Sequence, residues 1–231
     1  MVIHNNLMNI SSLQFPNKSH RKQVLIPNHG TDLAELLGII LGDGAIGNPW
    51  QVVISLNSIS DKEYSSYVIR LFHNLFGITC ALRKRPNQNT LVIVCSSTTI
   101  VDYLVEKGAS RGNKLKQNLD IPSWIKTDNN FLKSFIRGLV DTDGCIYLHK
   151  HFTKQKYYVN IGLCFTNFST DIIASVDAFL KQNGIKSHIA DKGRRIYLYS
   201  EESVRNYLDI FGSSNPRIYK KYTVWKNTKT N

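Results

Sequence analysis

The chain has 231 residues, with 29 Lys and Arg against 17 Asp and Glu, so its formal net charge is +12. Its hydrophobic share of 42% is typical of a folded protein, so a disordered chain is not expected. Its length suffices for one large domain or two small ones. A strong positive charge favours nucleic-acid binding, although charge alone defines neither fold nor chemistry. The longest apolar runs, such as residues 36–41, are too short to span a bilayer, so no membrane partner is expected.

Residues 1–30 are rich in Asn and Ser and contain no apolar core typical of a secretory signal. We therefore expect a polar N-terminal arm and a protein of the cytoplasm or of an organellar matrix. The four cysteines are not spaced as zinc ligands, which argues against a zinc-binding module.

From residue 31 onward, hydrophobic periodicity predicts helices and strands in turn. The first helix is apolar, and Asp32 with Glu35 three positions later predicts a capping box at its start. The predicted elements of this first half are a helix at 32–42, two strands that include 51–56, a helix at 61–76, strands at about 78–84 and 90–96, and a helix at about 97–107.

A polar stretch near residues 120–130 separates this half from a second one. It contains Pro122 and the run from Lys126 to Asn130, which is typical of a linker. Asp128 or Asn129 can cap the helix that follows. The predicted elements of the second half are a helix at 129–142, two strands that include 157–165, a helix at 170–183, strands at 185–191 and 194–200, and a helix at 201–211. Each half is thus αββαββα with an antiparallel sheet.

The two halves are copies of one another. The first opens on AELLGIILGDGAIG, residues 34–47, and the second on SFIRGLVDTDGCIY, residues 134–147. This alignment places Asp43 on Asp143, and the likeness continues downstream with small shifts in offset. A repeat period of about one hundred residues is too long for a solenoid, so it indicates two similar half-domains in one chain.

Each copy places an Asp at the end of an apolar helix, Asp43 in the first and Asp143 in the second. A helix C-terminus already carries partial negative charge, so an Asp there is electrostatically unfavourable. If the two helices pack in parallel, the two carboxylates repel one another unless a hard divalent cation lies between them. Mg²⁺ fits this chemistry, because it accepts one or two carboxylates and completes its shell with phosphate and water. Such a metal can activate water and stabilise the leaving oxygen of a phosphodiester.

Glycines in these helices have two predicted roles. Gly38, Gly42 and Gly138 let the two helix backbones approach closely. Gly44 and Gly144 are predicted to end the helices in the left-handed conformation. A single Asp-Gly pair would more often be a simple turn, but two copies opening the same order of elements favour a functional site.

These residues resemble the two signature motifs of the LAGLIDADG homing endonucleases. The nine-residue motif maps onto residues 36–44 and 136–144, and both copies keep the eighth residue, the family's metal-binding acid. The resemblance covers roughly residues 32–225. It implies an α+β fold in which two pseudo-symmetric αββαββα half-domains pack through the two LAGLIDADG helices, and in which their antiparallel sheets form a DNA-binding saddle.

The resemblance also implies an organisation for the whole chain. The predicted units are a polar arm at 1–30, an N-terminal half-domain at 31–120, a linker at 121–129 and a C-terminal half-domain at 130–231. One departure is Leu41, where the family often has Asp. No intein splicing blocks flank the motifs, so the resemblance is to the single-chain, intron-encoded type.

The implied activity is that of a monomeric, Mg²⁺-dependent, site-specific DNA endonuclease. Such enzymes cut both strands of a long, asymmetric site across the minor groove and leave four-base 3′ overhangs. We expect Mn²⁺ to substitute for Mg²⁺ and Ca²⁺ to bind without supporting cleavage. The predicted metal site comprises Asp43, Asp143 and the neighbouring motif residues Gly42 and Thr142.

The family's active sites usually include a basic residue near the metal-bound water, and the repeat offers a way to choose it. Carrying the match of Tyr103 with Tyr207 forward aligns Lys116 with Lys220. We therefore predict these two lysines as catalytic residues, with Lys114 and Lys221 as near alternatives. Asn57 and Asn167, matched at strand ends, are predicted to orient the water or the metal.

Antiparallel strands can lie along the major groove and present every second side chain to base edges. The hairpin at 149–156 is longer than its counterpart and is predicted to be an extended basic hairpin. Most contacts would reach phosphates, so binding should weaken steeply with salt. The predicted DNA-binding residues are Gln51, Ser55, Asn57, Arg83, Lys84, Arg85, Lys150, Lys154, Lys156, Tyr158, Asn160, Asn167, Lys192, Arg194, Arg195 and Tyr197.

Two other functions remain open from the sequence. The first is an RNA maturase that assists splicing of its host intron, in which case intron RNA would be a partner. The second is a DNA-binding regulator that has lost cleavage, although both motif acids, Asp43 and Asp143, are present.

Overall fold

The computed structural model of the protein describes residues 22–153 and 155–229. Within these ranges the fold is α+β, as predicted, with two four-stranded antiparallel sheets. No helix in the described ranges is long and apolar enough to cross a membrane.

The N-terminal half is built on a sheet whose strand order is β1-β2-β4-β3. Strand β2 lies between β1 and β4, and its register with β4 runs from Gln51 opposite Ser96 to Asn57 opposite Thr90. The elements are α1 (Thr31–Gly42), β1 (Gly44–Asn48), β2 (Gln51–Asn57), α2 (Lys62–Phe76), β3 (Ala81–Lys84), β4 (Thr90–Ser96) and α3 (Thr98–Glu106).

The C-terminal half repeats this topology with the order β5-β6-β8-β7. The hairpin between its first two strands extends to the pair Thr153 and Lys156, which agrees with the predicted long hairpin. Its elements are α4 (Ser123–Lys126), α5 (Asn129–Asp143), β5 (Gly144–Thr153), β6 (Lys156–Thr166), α6 (Thr170–Gln182), β7 (His188–Ala190), β8 (Arg195–Leu198), α7 (Glu201–Ile210) and α8 (Pro216–Lys229).

Two helices were absent from the predicted order. Helix α4 lies within the predicted linker, where Ile125 is buried. Helix α8 follows the last predicted helix and is mostly polar and basic, so its apolar signal is weak. It is anchored by Ile218 and Trp225, seven positions apart and each only 1% exposed. This spacing is two turns, so both side chains fall on one face.

Helices α1 and α5 pack against each other at the centre of the molecule. Every residue from Leu33 to Leu41 is buried. A Cβ atom on Gly38 would lie 2.2 Å from the carbonyl oxygen of Phe135, and one on Gly138 would lie 2.3 Å from that of Glu35. The predicted close approach of the helix backbones is confirmed, because neither position has room for a side chain.

Two local predictions about helix ends were wrong. Gly44 and Gly144 do not adopt a left-handed conformation. They are required because a Cβ at either position would lie within 2.5 Å of the backbone of its own helix, at Ile40 or Val140. The capping box is also absent, since α1 begins after Gly30 without a side-chain cap.

The side chain of Glu35 is instead fully buried and forms an ion pair with Arg137 across the helix interface. By contrast, Asp128 caps α5 as predicted, accepting a hydrogen bond from Asn130 N at 2.6 Å.

Of the predicted N-terminal arm, residues 22–30 are described, and they lie against the N-terminal half. Leu25 N donates to Phe76 O at 3.0 Å, and Tyr103 Oη donates to Pro27 O at 2.6 Å. The rest of the predicted arm, residues 1–21, lies outside the described residues.

Candidate active site

The two motif acids lie together where α1 and α5 end. Asp43 directly follows α1, and Asp143 is the last residue of α5. A Cβ atom on Gly42 would lie 3.4 Å from Asp143 Oδ2. The carboxylate of the second motif therefore lies against the end of the first helix, as expected from parallel packing.

Burial and nearby negative charge make both carboxylates weak acids. Burial raises the pKa of Asp43 to about 6, and the negative charge of Asp61 adds to this increase. Burial also raises the pKa of Asp143 to about 7, with Asp43 as the next cause. The charge of Asp43 therefore disfavours ionisation of Asp143.

Lys114 is the basic side chain at the end of α1. Its amino group donates hydrogen bonds to the carbonyl oxygens of Ile40 at 2.8 Å, Leu41 at 3.0 Å and Gly42 at 2.9 Å. These are the carbonyls that a helix end leaves unpaired. Burial lowers the pKa of Lys114, while the nearby charges of both motif acids act in the opposite direction.

Arg217, on the first turn of α8, has the equivalent position at the end of α5. Its Nη2 donates to the carbonyl oxygens of Asp141 and Gly144, both at 3.2 Å. Its charge also lowers the pKa of Asp43. The two acids are thus flanked by one cation from each half, Lys114 and Arg217.

The predicted catalytic lysines lie elsewhere. Lys116 is exposed on the short turn after Lys114. Lys220 is exposed and forms an ion pair with Glu63 at 2.6 Å. The near alternative Lys221 donates to Ile146 O at 3.2 Å.

A register error explains this difference. The repeat alignment paired identical residues, Lys116 with Lys220, whereas the structure pairs a lysine with an arginine. Arg217 was missed because a match by identity passes over Lys-to-Arg pairs. The signal that could have found it was the positive charge shared by Lys114 and Arg217 shortly after the last helix of each αββαββα repeat.

The two matched asparagines differ in their contacts. Asn167 is buried, and its Nδ2 donates to Asp143 Oδ2 at 3.4 Å, so it can orient that carboxylate. The side chain of Asn57 accepts hydrogen bonds from the backbone N–H groups of Ile59 at 2.9 Å and Ser60 at 3.0 Å, and therefore shapes a turn.

The donor set fits a hard divalent cation. Two carboxylates at adjacent helix ends supply anionic oxygen ligands, the type that Mg²⁺ prefers. No cluster of three or more His, Cys, Asp or Glu side chains suited to a metal occurs in residues 22–153 and 155–229. Water and phosphate oxygens can complete the shell of Mg²⁺ beside one or two carboxylates.

Thr142, one of the predicted metal-site residues, directs its hydroxyl to its own helix, where it donates to Gly138 O at 3.0 Å and Leu139 O at 2.9 Å. The carbonyl oxygen of Gly42, the other neighbouring residue, accepts a hydrogen bond from Lys114. Neither residue adds an anionic ligand to the two acids.

In the N-terminal half, the predicted DNA-binding residues divide between the two faces of the sheet. Gln51, Ser55 and Asn57 alternate with buried residues of β2, so they share the face away from the core. Arg83 pairs with Val92, which also pairs with Ser55, and lies on that face. Arg85 continues the row, whereas Lys84 points to the opposite face by strand alternation.

The C-terminal sheet shows the same division. Tyr158 and Asn160 lie on the outer face, together with Lys156, Arg195 and Tyr197. Lys150 pairs with Val159 and so lies on the other face. The predicted residues Lys192 and Arg194 are exposed in the turn between β7 and β8, and Lys154 lies outside the described residues.

Comparison with known proteins agrees with the resemblance found in the sequence. Residues 130–222 match the family model described as a LAGLIDADG-like domain. The replication factor C small subunit of Methanocaldococcus jannaschii is 26% identical over 211 residues, which cover 82% of this chain and 10% of that protein. The chain therefore spans about a tenth of the length of this relative.

Solved structures share the fold across both halves. The I-LtrWI LAGLIDADG homing endonuclease bound to target DNA matches with a TM-score of 0.58 at 12% identity, covering 87% of this chain and 92% of that one. I-DmoI in complex with DNA and Mn matches with a TM-score of 0.51 at 18% identity, covering 79% and 97%. The resemblance to the LAGLIDADG family is confirmed, and the fold is that of LAGLIDADG homing endonucleases.

Proposed function

We propose that this protein is a site-specific endonuclease that hydrolyses phosphodiester bonds in both strands of DNA. The observation that carries the proposal is the meeting of Asp43 and Asp143, one from each half, between the cations Lys114 and Arg217. A pseudo-symmetric site at the junction of two sheets suits a duplex, whose two strands are also related by approximate symmetry.

The metal would be held by Asp43 and Asp143, with water and scissile phosphates as its other ligands. When bound, it supplies activation of water and stabilisation of the leaving oxygen. I-DmoI, a structural relative, is described in complex with DNA and Mn. We propose Mg²⁺ as the cofactor here, with Mn²⁺ as a substitute and Ca²⁺ as an ion that binds without cleavage.

The protein's own residues would orient the reacting groups. Lys114 and Arg217 place positive charge beside the two acids, where it would stabilise the charge that develops on a phosphate. Asn167 holds the carboxylate of Asp143 in one orientation through its 3.4 Å contact. The outer faces of the two sheets would bind the duplex on either side of this centre, mainly through phosphate contacts.

The proposal includes the pattern of cleavage. As in the family that the chain resembles, the cuts would cross the minor groove and leave four-base 3′ overhangs at a long asymmetric site, with the protein acting as a monomer. I-LtrWI, which shares the fold, is described bound to its target DNA.

A binding selection followed by cleavage tests the proposal. Randomised duplexes would be enriched on the protein in Ca²⁺, and an enriched site would then be cloned into a supercoiled plasmid. We expect linear product in Mg²⁺ or Mn²⁺, none in Ca²⁺ or EDTA, and end sequences that show four-base 3′ overhangs. Tight, salt-sensitive binding without a cut in any divalent cation would contradict the endonuclease and favour a non-cleaving DNA-binding regulator.

A further inference from the structure

We propose that Asp61, in the N-terminal half, is a positioning residue that holds Arg217 of the C-terminal half beside Asp43. This inference rests on the proposed endonuclease function for its effect on cleavage. Asp61 lies in the turn after β2 and is 8% exposed, and its negative charge acts on Asp43.

The two oxygens of the Asp61 carboxylate contact different halves of the protein. Its Oδ2 accepts hydrogen bonds from Asn57 N and Ser60 Oγ, both at 3.2 Å, within its own turn. Its Oδ1 lies 3.1 Å from Nε of Arg217 and accepts a hydrogen bond from Nδ2 of Asn215 at 2.9 Å. Asp61 therefore links a fixed turn of one half to the segment that carries the cation of the other.

The segment at 213–217 is itself fixed at several points. Asn215 is fully buried, and its backbone N–H donates to Asp141 Oδ2 at 3.2 Å. Its side chain also donates to Asp141 O at 3.0 Å, next to the contact that Arg217 makes. Of these contacts, only the ion pair with Asp61 acts on the guanidinium from the N-terminal half.

The other half has a weaker version of the same link. Asp61 is the residue that precedes α2, and Ser169 is the residue that precedes α6. The Ser169 hydroxyl donates to Leu119 O, five residues beyond Lys114. Each half thus ties down the basic segment of the other, but Asp61 does so through an ion pair with the cation itself.

This difference makes the site asymmetric. Lys114 acts on both motif acids, whereas Arg217 is among the charges that act on Asp43. Loss of the Asp61 carboxylate would leave the Arg217 guanidinium held only through Nη2, by its hydrogen bonds to Asp141 O and Gly144 O, and no longer paired at Nε. We expect cleavage of the strand that depends on Arg217 to slow about 10-fold to 100-fold, as is typical when a partner that orients an active-site group is removed.

The test uses a selected duplex with both strands end-labelled, cut by wild type, Asp61→Asn, Arg217→Gln and the double variant. We expect Asp61→Asn and Arg217→Gln to slow the same strand, and the double variant to be no slower than Arg217→Gln alone. Asp171→Asn is the matched control, because Asp171 is an exposed Asp in the first turn of α6 and undergoes the same change of charge. It should leave both rates unchanged.

Two further readouts separate positioning from a loss of folding. If Asp61→Asn does not fold because it leaves the Arg217 cation unpaired, the double variant, which lacks that cation, should fold. Its cleavage rates can then be compared with those of Arg217→Gln. In metal-free protein, the Nε–Hε NMR signal of Arg217 should broaden or shift in Asp61→Asn and stay unchanged in Asp171→Asn.

Equal slowing of both strands, or an Arg217 signal that Asp61→Asn does not change, would overturn the inference. A wild-type protein that cuts neither strand would instead contradict the proposed function, and the NMR signal would still decide whether Asp61 positions Arg217.

Discussion

The charged forms of Asp43 and Asp143 destabilise the folded protein while no cation is bound. Both are buried and face one another at helix ends, so the pKa values rise to about 6 and about 7. The sequence predicted this pair, because the duplicated motif marks both acids. It predicted Lys114 only as a near alternative and did not predict Arg217, because these cations are brought to the site by loops whose register differs between the halves.

The first prediction concerns Asp143→Asn in metal-free protein. Folding raises the pKa of Asp143 from its ordinary value of 3.8 to about 7. Ionisation of Asp143 therefore destabilises the folded protein progressively as the pH rises through this interval, and the destabilisation is fully present above it. We expect the variant to be more stable than wild type at pH 8, on the order of 2 kcal/mol, with the difference shrinking toward pH 4. Urea unfolding in EDTA measures it, and a variant less stable than wild type at pH 8 would contradict the prediction.

At the scale of elements, the contact between α1 and α5 determines how closely the two acids approach. The sequence predicted this contact from its glycines, and the bounds of the helices that carry the motifs from their apolar runs. It did not predict why glycine is required at positions 44 and 144. In a sequence, a glycine that packs closely against its own helix backbone looks the same as a glycine in a left-handed cap. It also missed α8, whose buried face is defined by only a few residues.

The second prediction is that Gly38→Ala strongly destabilises the protein. The new methyl group would lie 2.2 Å from the carbonyl oxygen of Phe135, so a helix backbone must move. We expect a loss of about 2 kcal/mol or more, as for other overpacked interfaces. Gly47→Ala is the control, because a Cβ there meets nothing within 4 Å. Thermal unfolding compares the two, and equal melting temperatures would show that the helices are not packed through Gly38.

At the scale of the whole molecule, the outer faces of the two sheets flank the acidic centre. Strand alternation in the sequence identified which residues of β2 and β6 lie outward. It did not predict that Lys84 and Lys150 lie on the other face, because they were selected for their charge rather than for their position in the alternation. The contacts that join the halves, such as Asp61 with Arg217, join residues far apart in the chain and follow only from the fold.

The third prediction uses two neighbours on β3 that point to opposite faces. Arg83 lies on the outer face, and Lys84 lies on the other. We expect Arg83→Gln to weaken DNA binding and to reduce the slope of log affinity against log salt by about 1, because one phosphate contact is lost. Lys84→Gln should leave the slope near the wild-type value. Fluorescence anisotropy in Ca²⁺ over a range of salt measures both, and equal slopes for the two variants would place the DNA elsewhere.

The most direct test of the shared site is single-turnover cleavage of a selected plasmid in Mg²⁺ by wild type, Asp43→Asn and Asp143→Asn. If the two acids hold the metal together, each variant should bind the plasmid as tightly as wild type in Ca²⁺-free buffer. Each should nonetheless lose double-strand cleavage, leaving at most slow nicking. Wild-type rates of linear product in either variant would contradict a shared two-carboxylate site and, with it, the proposed mechanism.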